Sequence, residues 1–414
     1  MSFAYHDGVL QVEDVPLPLL GQQYGTPLYV YSAAQLRVNF SCLREALPEL
    51  SIHYAVKANS NLAILRLFGL LGAGADIVSG GELQRALGAG IPANRIVFSG
   101  VGKTAEEIEA ALTAGVHQLN VESIAELAAI QAVAQKLGVV APVAFRLNPD
   151  VAADTHHKIA TGKKGDKFGI DHEQMGEAAA VAAGYSHIKL CGVAIHIGSQ
   201  IFDIETFRAA YTRAAEFVRE LRAAGHAIDR LDLGGGFAVP YQDEAVFDVP
   251  RYATMVREVL GDLKCALAIE PGRFLVANAG LLLSSVIYVK EGVANRFVIV
   301  DAAMNDLVRP AMYEAFHEIK AVVPADGESE LVDVVGPVCE SSDVFGTARS
   351  LPATHPGDLV ALMTAGAYGA AMSSTYNTRD LVPEVLVDGA RHALIRPRIP
   401  ANIQIGWDKL PEWL

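Results

Sequence analysis

Tryptophan and cysteine are scarce in this chain, with two and four residues among 414. The cysteines, Cys42, Cys191, Cys265 and Cys339, stand far apart with no CxxC pair, so neither a disulfide framework nor a zinc site is indicated and each is expected to be a buried thiol. Positive charge is also short. Against 47 acidic residues stand 33 basic ones, a formal net charge of -14, which offers no overall attraction to nucleic acid or to an anionic membrane. No apolar run reaches the length of a membrane span. The longest, "FLVANAGLLLSSVIYV" at 274–289, is broken by Asn278 and two serines and reads as buried strands. The opening "MSFAYHDGVL" lacks the cationic and apolar regions of a secretory signal, so a cytoplasmic address is expected. Internal repeats and low-complexity tracts are missing too.

What is present is apolar. Hydrophobic residues make up 51% of the chain, enough for a large core and for two domains. Short β-rich runs alternate with helical patterns: "IHYAV", "ADIV", "RIVF", "HQLNV", "VAFRL", "GVAIHI", "RLDL" and "ALAIE". Between two of them, Phe207, Ala210, Ala214, Phe217, Val218 and Leu221 recur at helical spacing and predict one apolar face. Eight βα units fit a (β/α)8 barrel of the TIM type, expected over 28–273. After residue 273 the runs "LLLSSVIYV", "RFVIVDA", "LVDVVGP" and "DLVALMT" predict a second, mostly-β domain, a sandwich or Greek-key-like barrel. "GVLQVEDVPLPLL" reads as strand and turn rather than helix, so residues 1–27 are expected to join 274–414.

In a parallel barrel, functional groups gather where strands end. Those ends are polar here: Lys57 in "YAVKAN", Asp76 in "ADIVSGGE", Arg146 in "VAFRLNPD", His196 and Ser199 in "VAIHIGSQ", three glycines in "LDLGGGF", and Glu270 and Arg273 in "AIEPGRF". Each alone has an ordinary explanation. A strand-end lysine is usually solvated, a single histidine is usually a hydrogen-bonded core residue, and "GGG" lacks the spacing of a dinucleotide loop. Convergence at one mouth is what gives them weight. A glycine turn, Gly234 to Gly236, can cradle a phosphate with backbone N–H groups. An imidazole such as His196 can lie on an aromatic ring, and a carboxylate such as Glu270 can keep a ring nitrogen protonated. A partly desolvated lysine can condense with an aldehyde, and Lys57 would be that amine. Together these groups suit pyridoxal 5'-phosphate.

The ordered series "YAVKANSN", "GADIVSGGEL", "FSGVGKT", "THHKIATGKKGDKFGI", "HIGSQI", "LGGGF", "EPGR", "RPAMYEAFHEI", "GPVCESSD" and "GAYGAAMSSTYN" resembles the fold-type III pyridoxal-phosphate decarboxylases over nearly the whole chain. The resemblance implies a Schiff base at Lys57, steadied by Asp76, with His196 stacked on the pyridine face and Glu270 paired with the ring nitrogen. It implies phosphate contacts from Ser199, Gly235, Gly236, Gly272 and Arg273, with Tyr368 near phosphate and substrate. It also implies a head-to-tail homodimer whose "VCES" segment crosses to the other subunit's site, with Cys339 as proton donor to Cα.

Relatives that act on ornithine, arginine or lysine meet only a cation at the substrate's far end. Meso-2,6-diaminopimelate carries an amine and a carboxylate there, and a buried unpaired charge is costly. Arg309 and Tyr313 of "RPAMY", four residues apart, offer a forked donor and a hydroxyl on one face if the segment is helical. Glu340 supplies an anion for the amine, and Arg273 is implied as a further carboxylate contact. The ordinary alternative for Arg309 and Tyr313 is a solvated helix face. The alternatives for the whole chain are a decarboxylase of another basic amino acid, a racemase, which typically places an arginine where this chain has Glu270, and a silent cofactor-binding homologue. His156 and His157 lie in the Lys-rich stretch between "NPD" and "KFG", without partners at metal-ligand spacing, and read as part of a mobile loop over the mouth.

Overall fold

Eight short apolar runs become eight parallel strands: β1 (Ser51–Ala55), β2 (Gly74–Ile77), β3 (Ile96–Phe98), β4 (Gln118–Val121), β5 (Ala141–Asn148), β6 (Ile188–Ile195), β7 (Arg230–Asp232) and β8 (Ala266–Ile269). The computed structural model describes residues 2–151, 167–293 and 295–414, so His156 and His157 lie outside the described residues. Each strand pairs in parallel with its sequence neighbour, and β8 pairs with β1 through Ala268 opposite Ser51. The sheet is therefore closed. β2, β3 and β4 are buried at every position, as strands covered on both faces by side chains and helices must be.

The helices between strands start where the sequence supplies caps. Asn61, Ser79, Ser123 and Asp203 each accept from a backbone N–H in the first turn of the helix that follows. Thr104 and Glu107 form a reciprocal capping box. In the long helix Ile204–Ala223, the six expected apolar positions are all buried, with Tyr211 added to that face. This unit comprises Asn39–Val239 and Ala245–Leu275.

At the start of β1, away from Lys57, His53 is buried opposite Gly74, and its Nδ1 donates to the Arg95 carbonyl at 3.1 Å. Burial, and then the neighbouring His117, lower its pKa from 6.5 to about 4. The folded state thus holds this ring neutral, while the unfolded chain takes up a proton below pH 6.5. Its contribution is complete above pH 6.5 and is lost as pH falls towards 4, a difference of about 3 kcal/mol. His53→Gln is expected to flatten the acid branch of urea unfolding midpoints between pH 7 and pH 4.5. An unchanged slope would remove His53 from the account.

The second unit comprises Met1–Val38, Pro240–Glu244 and Val276–Leu414. Its sheet runs Val344–Leu351, Glu330–Val335, Arg296–Val300, Gly280–Glu291, Leu28–Ser32, Glu384–Asp388 and Arg391–Arg396, with Ile319–Ala321 paired to Leu359–Leu362. Leu10, Val12, Leu17 and Leu20 pack with Leu28, Leu281, Leu283 and Val385 in its core. The barrel unit therefore begins at 39 rather than 28, because Leu28–Ser32 bonds to Gly280–Glu291 and Glu384–Asp388. Two local expectations also change. Leu17–Tyr24 is a helix, since Pro18 in the first turn has no intrahelical N–H bond to lose. The 274–289 stretch opens with the short helix Arg273–Val276 before its strand. Of the cysteines, Cys191 is buried, Cys265 is half-buried, and Cys42 and Cys339 are exposed.

Candidate active site

The end of β1 passes straight into a single 3-10 turn, Val56–Ala58, which carries Lys57 beside the end of β2. There Lys57 Nζ donates to Asp76 Oδ2 at 3.0 Å, and the Asp76 side chain is fully enclosed while the lysine is about one-third exposed. An ammonium at the rim is held by a carboxylate inside. A cavity of about 410 Å³ lies here, lined among others by Lys57, Ser99, Asn120, Arg146, His196 and Glu270. Arg146 pairs with Glu122 at 2.7 Å, and its guanidinium lies over the Phe168 ring.

Glu270 follows β8 and is buried. Burial raises its carboxyl well above the usual range, and Asp232 and Asp76 add to the effect. Asp232 ends β7 and is itself pushed up to about 6 by burial. The Asp232 and Glu270 carboxyls are close enough for each to influence the other's titration. Neither Asp232 Oδ2 nor Glu270 Oε1 meets a hydrogen-bond donor among the described residues. Asp76 Oδ1 is likewise a buried acceptor without a donor.

His196 comes directly after β6 and accepts at Nδ1 from the Gly235 N–H at 3.3 Å, which leaves the ring proton on Nε2. Burial, and then the charges of Lys57 and Arg146, lower its pKa well below the usual histidine value, so the ring is neutral. The glycine turn is steric in origin. Gly236 has a φ of +103°, and a Cβ there would stand 2.7 Å from the Gly198 carbonyl. At Gly235 and Gly272 side chains are also crowded out, by the Glu270 backbone and by Ala55 and Ala58. Ser199 Oγ accepts from Arg273 Nε at 3.3 Å and Nη2 at 3.1 Å. The barrel therefore brings Lys57, Asp76, His196, Ser199, Gly235, Gly236, Glu270, Gly272 and Arg273 together at its strand ends.

The other candidates belong to the β unit. Arg309–Tyr313 is a five-residue helix, and Arg309 is 5% exposed, which rules out the solvated-face alternative for it. Arg309 Nη1 meets His317 Nε2 at 2.8 Å. Tyr313 is half-buried. Cys339 and Glu340 sit on the turn between strands Glu330–Val335 and Val344–Leu351. Asp343 organises that turn, accepting from Val338 N–H and Met304 N–H, both at 2.7 Å. Cys339 N–H donates to Asn377 Oδ1 at 3.3 Å, and Tyr376 Oη donates to Glu340 at 3.4 Å. Tyr368 is half-buried with a φ of +56°, a conformation uncommon for a bulky residue.

Residues 33–277 match the family model described as pyridoxal-dependent decarboxylase, pyridoxal binding domain. A diaminopimelate decarboxylase of Zymomonas mobilis is 50% identical, with all of both chains covered. The chain belongs to the pyridoxal-dependent decarboxylases. One from Neisseria meningitidis is 49% identical over 93% of this chain and 95% of its own. Among solved structures, the M. jannaschii diaminopimelate decarboxylase in complex with L-lysine superposes with a TM-score of 0.95 at 40% identity, covering 100% of this chain and 99% of that one. The Helicobacter pylori enzyme complexed with L-lysine gives 0.91 at 41%, covering 94% and 98%.

The residues present fit the family's cofactor. Buried acceptors of Asp76, Asp232 and Glu270 without protein donors suit a cationic ring N–H, the neutral imidazole suits an aromatic face, and the turn at Gly236 admits a group where a side chain would not fit. Asp232 is the member of this cluster that the sequence reading passes over. Its signal is a carboxylate between two leucines, one residue ahead of three glycines.

Proposed function

We propose that this decarboxylase converts meso-2,6-diaminopimelate to L-lysine and CO2, working as a cytoplasmic homodimer with an active site at the subunit interface. The observation that carries the reading is the cavity lined by the Lys57 amine, the neutral His196 ring and the buried Glu270 carboxyl, with the side-chain-free turn Gly234–Gly236 bonded to His196 through the Gly235 N–H. The full-length likeness to diaminopimelate decarboxylases at up to 50% identity supports the choice of substrate.

When bound, pyridoxal 5'-phosphate supplies a conjugated sink for the electron pair left at Cα. Lys57 Nζ is the amine that would hold it, and Asp76, which accepts from Lys57 Nζ at 3.0 Å, would take up or return the proton of that nitrogen. Glu270 would hold a proton at the ring nitrogen, with the Asp232 carboxyl acting on Glu270. His196 presents its flat, uncharged face. Ser199, Gly235, Gly236, Gly272 and Arg273 would bind the phosphate and Arg273 also a substrate carboxylate, the family resemblance adding Tyr368 to both tasks. As the bond from Cα to the carboxylate carbon breaks, its electron pair stays on the Cα side, and Cys339 delivers the one proton that replaces CO2. Arg309 and Tyr313 bind the distal carboxylate and Glu340 the distal amine, the Cys339 turn being contributed across a head-to-tail dimer.

The direct test is CO2 release from meso-diaminopimelate, ornithine, lysine and arginine in parallel with the cofactor-loaded enzyme. A preference of at least about 10²-fold for diaminopimelate is expected, because its absence would leave buried charges unpaired. Faster turnover of ornithine would overturn the substrate while leaving the family intact.

A further inference from the structure

Within the β unit, strand Ile319–Ala321 pairs antiparallel with Leu359–Leu362, and the Met363 N–H continues that ladder to the Glu318 carbonyl at 2.8 Å. The ladder fixes the backbone directly after a fully buried residue, His317, and that of Met363 across from it. Its Nδ1 lies 2.8 Å from the Met363 carbonyl, which can only accept, so Nδ1 carries the proton. Nε2 is then a lone pair, and Arg309 Nη1 donates to it at 2.8 Å. The carbonyl selects the tautomer, and the tautomer selects an acceptor for the guanidinium. Tyr241 closes the arrangement. Its ring stands edge-on to His317 at 5.5 Å, and the Arg309 guanidinium carbon lies 4.6 Å from its centroid.

We propose that His317, with Tyr241, is a positioning residue that fixes the Arg309 guanidinium and thereby sets selectivity for substrates with a distal carboxylate. An arginine on a five-residue helix has many rotamers open to it, and each one lost in advance is not lost on binding. A neutral acceptor does this without cancelling the positive charge, as a carboxylate in the same place would. The inference rests on the reading of Arg309 as the partner of the distal carboxylate.

The test uses two ligands that differ only in that group. L-lysine keeps the distal amine and carboxylate of diaminopimelate, whereas 1,5-diaminopentane has lost the carboxylate. In the cofactor-loaded enzyme, His317→Asn withdraws the acceptor from Arg309 while keeping a short donor near the Met363 carbonyl. It is expected to raise the KM for diaminopimelate and the Ki for L-lysine together by about tenfold or more, the loss of one hydrogen bond to a charged group. The Ki for 1,5-diaminopentane should stay within about twofold, since the group that Arg309 meets is missing from that ligand. His317→Gln, long enough to return an oxygen to the Nε2 position, should restore lysine binding. Tyr241→Leu, at a half-buried position, should reproduce the same split should the Asn variant not fold.

Arg309→Ala distinguishes the two layers. If it weakens lysine but not diaminopentane while the His317 and Tyr241 variants weaken neither, or both equally, the positioning role is overturned and the reading of Arg309 stands. If Arg309→Ala itself shows no split, that reading fails and takes this inference with it.

Discussion

Lys57→Ala is expected to abolish the visible absorbance of the bound cofactor and its trapping by borohydride, and to lower decarboxylation on the order of 10⁴-fold or more. The reason is positional as well as chemical. Lys57 rides on a single 3-10 turn at the end of a closed-sheet strand, and its Nζ is held 3.0 Å from Asp76. No other lysine lines the cavity, among the described residues. Lys103, the nearest comparable cation in the sequence, is spent elsewhere, its Nζ donating to the Gly100 and Asn120 carbonyls and to Glu126. An alanine variant that still traps cofactor on reduction would mean that a different amine does this work.

The second large effect is at Glu270. Glu270→Gln is nearly isosteric and leaves the buried surroundings intact, but an amide cannot carry the negative charge that favours a protonated ring nitrogen. The expected result is a fall in kcat of about 10²- to 10³-fold with little change in KM for the amino acid, the pattern of an interaction felt mainly in the transition state. Asp232→Asn provides a contrast. It can still donate a hydrogen bond to Glu270 without adding negative charge, so the loss should be much smaller. Equal losses in the two variants would indicate that burial of a carboxyl pair, rather than the charge of Glu270, is what matters.

The barrel was legible because its information is local. Apolar runs of strand length, separated by Asn, Ser, Thr and Asp caps and helical periodicity, identify each unit without knowledge of the others. The strand-end groups were legible for the same reason, since a barrel maps position along a strand onto position relative to the mouth. Asp232 was not, because a carboxylate inside "RLDL" looks like one polar residue in a strand, and the group it acts on, Glu270, lies far along the chain. His317 and Tyr241 were invisible for a related reason: their meeting with Arg309 depends on the ladder between Ile319–Ala321 and Leu359–Leu362 and on a five-residue excursion of the chain, 240–244. The helix Leu17–Tyr24 was misread because prolines near a helix start resemble turn signals, although the first turn tolerates them.

The placement of strand Leu28–Ser32 governs the order in which the molecule can be completed. It is made early in synthesis, yet its two partners are Gly280–Glu291 and Glu384–Asp388. As the chain leaves the ribosome, every barrel strand is available before either partner exists. The N-terminal segment must therefore wait as an unpaired edge, destined for burial at every position, until Gly280–Glu291 arrives, and on its other side until Glu384–Asp388 does, a long-range pairing of the slow-folding, aggregation-exposed kind. Removing the first 32 residues would not trim a tail; it would take out an interior stave of the sheet and leave two new edges in its place.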